Sequence, residues 1–132
     1  MTTPLLSVVL AYATIWLPKL LSSYEQAKLE GGYDNVDPRL QRKQLSGRGA
    51  RAQAAHENGL EAFAPFAAAV FVSHLGGGSP DHASALALTF VAARVVYPFV
   101  YVAGGAKGLL RTLVWTVGAA ATVGLFLLPY VG

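Results

Sequence analysis

The 132-residue chain is 54% hydrophobic and only 13% charged, with a net charge of +3 and no cysteine. Its mean hydropathy is +0.45 and its isoelectric point is near 9.4. A solvated domain carries about 25% charged residues, so a water-soluble globule is excluded, as is intrinsic disorder, and without cysteine so are a disulfide scaffold, a thiolate metal site and a cysteine nucleophile.

In chain order, the first apolar stretch, Leu5–Leu21, contains one charge, Lys19, and predicts a helix over about 4–22. No basic residue precedes Lys19, so this stretch is expected to remain as a transmembrane helix rather than to be cleaved. The second stretch, Leu60–Leu75, includes Glu61 and His74. It reaches membrane-spanning length when its helix starts inside the preceding polar run, at about 47–75. The third, Ala83–Ala103, encloses Arg94, and the fourth, Leu113–Val131, has no charge at all; these predict helices over about 81–104 and 109–131. A bilayer-crossing helix needs about 20 residues. A soluble four-helix bundle would need a polar face on each helix, which Leu113–Val131 lacks. The expected fold is therefore all-α, a four-transmembrane-helix bundle forming one domain over 1–132.

Lys28, Arg39, Arg42, Lys43, Arg48 and Arg51 fall in the first connection, and Lys107 and Arg111 in the third. The second connection, Gly76–His82, has no Lys or Arg. Positive loops face the cytoplasm, so both termini are expected on the far side. Because the basic residues lie between apolar stretches and not along one polar face, nucleic acid is not an expected partner.

An ionised side chain at mid-membrane costs about 2.5–3.5 kcal/mol and by default marks a site. On the second helix Arg51, Asn58, Glu61 and Pro65 fall within roughly 80° of one another. On the third, Arg94, Tyr97 and Tyr101 share a face. A Glu61–Arg94 pair holding the helices together is the plain structural reading. Counting Arg111 at the same end, however, the stripes hold more donors than one glutamate uses, which points to a bound anion. His56 lies about 160° from Asn58 and is expected to play a supporting part. His74 and His82 flank the glycine turn and are expected to carry no chemistry. Trp16, Trp115 and Tyr130 read as interface anchors. No His and carboxylate set has metal-ligand spacing, so no metal is expected.

The run RAQAAHENGLEAFAPF (Arg51–Phe66) resembles the signature of the MAPEG family, membrane-associated proteins in eicosanoid and glutathione metabolism. ARVVYPFVYVAGG (Ala93–Gly105) is similar to that family's third-helix pattern, and GGYDNVDPR (Gly31–Arg39) to the first loop of bacterial members. The resemblance spans the whole chain. It implies a homotrimer in a bacterial inner membrane, with glutathione bound between neighbours near the cytoplasmic face. Residue by residue it assigns Asn58, Glu61, Arg94, Tyr97 and Tyr101 to that pocket, Arg51 to its outer edge, and Arg111 to stabilising the thiolate. A hydrophobic small-molecule substrate would enter from the lipid bilayer.

One position departs from the pattern: the arginine expected four residues before Asn58 is Ala54. A charge-assisted hydrogen bond of about 1.5–3 kcal/mol is lost with it, and Arg48 in the preceding turn is the candidate replacement. Two readings follow from the resemblance. One is a glutathione-dependent transferase or peroxidase acting on lipophilic electrophiles; the other is a non-catalytic membrane protein that binds a lipid or regulates a partner. A small drug exporter would need a carboxylate in the first helix, and Leu5–Leu21 has none.

Overall fold

The structure is a computed structural model describing residues 1–131; Gly132, the last residue of the expected domain, lies outside the described residues. Four long helices account for most of it: α1 (Thr3–Ala27), α3 (Gly47–Leu75), α4 (Pro80–Ala103) and α5 (Gly108–Val131). A single-turn helix α2 (Pro38–Arg42) lies in the first connection, and a 3-10 turn (Gly105–Lys107) leads into α5. α3 and α4 form the shared centre, with α1 packed on both from one side and α5 on both from the other. The architecture is the expected all-α bundle.

The buried stripe of α1 runs Pro4, Ser7, Ala11, Ile15, Pro18, Ser22 and Gln26, a helical period of small and polar side chains. Its outward face carries Leu6, Val9, Leu10, Leu17 and Leu20. That inversion of the soluble pattern fits a lipid surround, where small residues let backbones approach and large apolar ones face the acyl chains. α1, α4 and the segment Gly105–Val131 are each long and apolar enough to cross a membrane.

The core sits around Phe66 and Phe90, whose rings stack at 3.8 Å and 4°. Ala69, Ala87, Ala121 and Leu125 close around them. Where alanines line the contact, helices come close enough for the two rings to fill the space between them.

α1 continues past the predicted end near residue 22 because its last turns are polar but not solvated. Ser22 Oγ donates to Gln53 Oε1 at 2.7 Å. Gln26 Nε2 donates to the Pro38 carbonyl and to Gln41 Oε1, both at 2.9 Å. Gln41 in turn accepts the Asp34 N–H at 2.9 Å and donates to the Gly32 carbonyl. This buried glutamine pair ties α2, with Arg39 and Arg42, to the end of α1.

His56 has a local structural role. Pro18 has no N–H and leaves the Thr14 carbonyl without its helix donor, and the neighbouring Ile15 carbonyl takes a bond from another helix. Buried His56 reaches from α3, and its Nδ1 donates to the Ile15 carbonyl at 2.9 Å, while its ring lies 5.8 Å from Trp16. Neither the hydropathy pattern nor the helical wheel contains this contact, which depends on α1 and α3 meeting at Pro18.

Candidate functional site

At the end of the bundle carrying the first loop, α3, α4 and α5 enclose a cavity of about 410 Å³. α3 contributes Asn58 and Glu61, α4 contributes Tyr97 and Tyr101, and α5 contributes Arg111 and Trp115. Helical spacing explains the convergence: 58 and 61 lie on one face of α3, 97 and 101 on one face of α4, and 111 and 115 on one face of α5. Arg111 is held with its guanidinium carbon 4.6 Å from the Tyr101 ring centre, and Tyr101 meets Tyr97 edge-on at 5.7 Å. A cation over an aromatic face is attracted by the ring quadrupole, and this fixes where the charge stands.

Arg94 is only 6% exposed. Its Nη1 donates to Asn58 Oδ1 at 3.0 Å, and its guanidinium lies 4.5 Å from the Tyr97 ring centre. The pairing of Arg94 with Glu61 suggested by the sequence is not among the ion pairs of the described residues; asparagine takes the guanidinium instead. Glu61 lines the cavity with no ion pair among the described residues, so its carboxylate is available to a ligand.

The other arginines lie elsewhere. Arg51 turns to the end of α4, where its Nε donates to the Val102 carbonyl at 2.9 Å. Arg48 does not fill the place left by Ala54: its Nε donates to Glu25 Oε1 at 2.8 Å, back on α1. Last-turn carbonyls of a helix lack intrahelical partners, which explains the capture of Arg51. Ala54 lines the cavity wall, so that wall offers no cation. The cluster of guanidinium groups expected from the two stripes is therefore not assembled within the chain.

Gly104 makes the Arg51 contact possible. It adopts φ 62° and ψ −157°, a region essentially closed to other residues, and a Cβ there would stand 2.9 Å from Arg51 Nε. Gly104→Ala is expected to lower stability by about 1–3 kcal/mol and to release Arg51. Thermal unfolding of the detergent-solubilised variant checks this, and an unchanged midpoint would contradict it.

Two further concavities adjoin. A mainly apolar chamber of about 340 Å³ shares Asn58, Glu61 and Trp115 with the polar cavity and is otherwise walled by Arg94, Pro65, Phe90 and Ala119, among others. Trp115, expected as an interface anchor, lines both spaces and keeps an exposed face. On the other flank of α3 lies a basic concavity of about 580 Å³, bordered by Arg39, Arg42, Lys43, Gln53, His56 and Glu57. Glu57 also lines the polar cavity and accepts a hydrogen bond from Gln53 Nε2 at 2.9 Å. The sequence reading passed over Glu57, although it stands one turn before Glu61 on the same face of α3. No group of three or more His, Asp or Glu among the described residues is placed to hold a metal.

Helices of membrane-spanning length and apolar exteriors define an integral membrane protein, with a polar cavity at one end. The profile of the MAPEG family matches residues 3–131, essentially the whole chain, and the protein belongs to that family. Neither a curated protein nor a solved structure matches the chain.

Proposed function

We propose that the protein is a single-domain, glutathione-dependent transferase or peroxidase acting on lipophilic electrophiles. The observation that carries this reading is the junction of the two chambers. A polar cavity lined by Arg111, Asn58 and Glu61 adjoins an apolar one, the two sharing Asn58, Glu61 and Trp115 in their walls.

The donor set fits glutathione. Glu61 suits its α-ammonium, Asn58 and the tyrosine hydroxyls suit its amide groups, and Arg111 suits an anionic sulfur. Glutathione supplies a thiol that, as thiolate, adds to an electrophilic centre. A free thiol titrates near 8.5, and Arg111 in a partly dehydrated site favours the charged form. Tyr101 keeps the guanidinium in place, and Asn58 is oriented by buried Arg94. Trp115 and Phe90 present an apolar surface where a bilayer-soluble electrophile meets the polar cavity.

Two carboxylates call for guanidinium or ammonium partners, and one protomer's cavity supplies only Arg111. In the homotrimer implied by the family, the basic concavity of Arg39, Arg42 and Lys43 on an adjacent protomer would supply the rest and offset the loss at Ala54. Exposed apolar side chains on the outer faces, such as Val9, Leu17 and Leu113, leave ample surface for both neighbours and lipid.

Isothermal titration of the solubilised protein with glutathione tests the reading: no heat at millimolar ligand removes it. In Ala119→Phe, which fills the apolar chamber, KM for a lipophilic electrophile is expected to rise about tenfold with the glutathione Kd unchanged. If Kd moves and KM does not, the division between the chambers is wrong. Ala54 favours the second reading, a non-catalytic protein whose apolar chamber holds a lipid; glutathione titration separates the two.

A further inference from the structure

The basic concavity of about 580 Å³ lies between α2 and the first half of α3. Arg39, Arg42 and Lys43 form one wall, against a single carboxylate, Glu57. Both ion pairs among the described residues go to Glu25, from Lys28 and Arg48, so these three cations have no acidic partner there. Their backbone is nevertheless fixed. Gln41, only 7% exposed, stands among them in α2 and is tied to Gln26 and to the Gly32 carbonyl.

The facing wall, on α3, supplies acceptors. His56 borders the concavity and is only 7% exposed. Its Nδ1 donates to the Ile15 carbonyl at 2.9 Å, so in the neutral ring Nε2 carries a lone pair. That nitrogen has no hydrogen-bond partner among the described residues, and a buried polar side chain left with an open position asks for one. Glu57 gives one oxygen to Gln53 Nε2, at 2.9 Å, and is a second acceptor in the same wall. Three unpaired cations call for an anion, with arginine suited to the forked geometry of phosphate. Acceptors beside them call for hydroxyl donors on the same molecule.

The surroundings suit an amphiphile. Leu60 is part of the wall and half exposed, and Val36 and Leu40, on either side of Arg39 in the chain, are 88% and 61% exposed. Basic side chains interleaved with exposed apolar ones, at the end of membrane-spanning helices, belong at the level of the lipid headgroups. We propose that this concavity seats the glycerophosphate headgroup of an anionic phospholipid, phosphatidylglycerol. Arg39, Arg42 and Lys43 hold its phosphate, and its glycerol hydroxyls donate to His56 Nε2 and Glu57. In the function proposed above, the same three cations receive carboxylates of a neighbour's glutathione; resting on that reading, lipid and glutathione exclude one another here.

Native mass spectrometry of the full chain, released from nanodiscs of equal parts phosphatidylglycerol, phosphatidylethanol and phosphatidylcholine, tests the proposal. Phosphatidylethanol keeps the charged phosphodiester and has no headgroup hydroxyl. Phosphatidylglycerol is expected to be enriched about tenfold over the choline lipid, the factor of one charge-assisted hydrogen bond, and about threefold over phosphatidylethanol, that of a neutral one. Arg39→Gln combined with Lys43→Gln is expected to bring it down to the level of the choline lipid, and Lys107→Gln, outside the concavity, to change nothing. Lipids retained in bilayer proportion by the unaltered protein would overturn the proposal without recourse to any variant. So would undiminished enrichment in the double variant. Equal retention of phosphatidylglycerol and phosphatidylethanol would overturn the roles of His56 and Glu57, and displacement by millimolar glycerol 3-phosphate would assign the site to a soluble phosphate instead of a lipid. Millimolar glutathione is expected to release the bound lipid. Glutathione that binds with measurable heat and releases none overturns the competition, whereas no heat removes the function proposed above and leaves the lipid preference to stand or fall by its own comparison.

Discussion

Arg111→Ala is expected to lower kcat/KM for glutathione conjugation about 100-fold, the rate equivalent of a two-unit shift in thiol pKa, or about 2.7 kcal/mol. Among the described residues Arg111 is the single cation lining the polar cavity, and its guanidinium stands 4.6 Å from the Tyr101 ring centre. The sign is set by the direction of the shift. On the proposed reading the arginine depresses the thiol pKa, so the rate is expected to level off above that lowered value. Without it, the rate keeps climbing with pH towards 8.5. Arg111→Lys keeps the charge but loses the planar stack, and is expected to fall between the two. Thiolate absorbance that rises equally with glutathione in parent and Arg111→Ala would end this assignment.

Phe66→Ala is expected to cost about 3–5 kcal/mol of stability and to lower the unfolding midpoint by roughly 10 °C or more. Phe66 is fully buried and stacked on Phe90. The alanines around it cannot extend into the space it would leave. Because Phe90 also walls the apolar chamber, KM for a lipophilic electrophile is expected to rise while glutathione binding holds at temperatures where the variant is folded. Phe66→Leu should recover most of the loss. Circular dichroism during heating checks the midpoint, and a shift under a few degrees would contradict the packing account.

Hydropathy identified α1, α4 and α5 because each is a nearly continuous apolar run, and it placed the polar stripes because the helical period is independent of tertiary packing. Partner choice was not legible. Spacing puts Glu61 and Asn58 on one face, but which of them meets Arg94 depends on how deeply α4 sits against α3. Arg48 and Arg51 read as pocket arginines, yet Glu25 and the Val102 carbonyl are nearer acceptors brought up by the fold. Trp115 read as a belt aromatic, and it keeps an exposed face; its place in the walls of two cavities depends on how α5 packs on α3 and is not visible in the helical period. Glu57 was readable, one turn from Glu61, and was obscured by its neighbours in the motif.

The interior polarity of α3 bears on how the protein is made. Alone among the long helices, α3 is not apolar enough to cross a membrane by itself, and its partners for Gln53, His56 and Asn58 come from α1 and α4. A polar segment emerging from the ribosome partitions poorly into hydrocarbon on its own. α3 is therefore expected to insert poorly when tested as an isolated segment, and better in a fragment that also carries α1 and α4. The polar groups by which α3 grips α1 and α4 thus make its residence in hydrocarbon conditional on theirs.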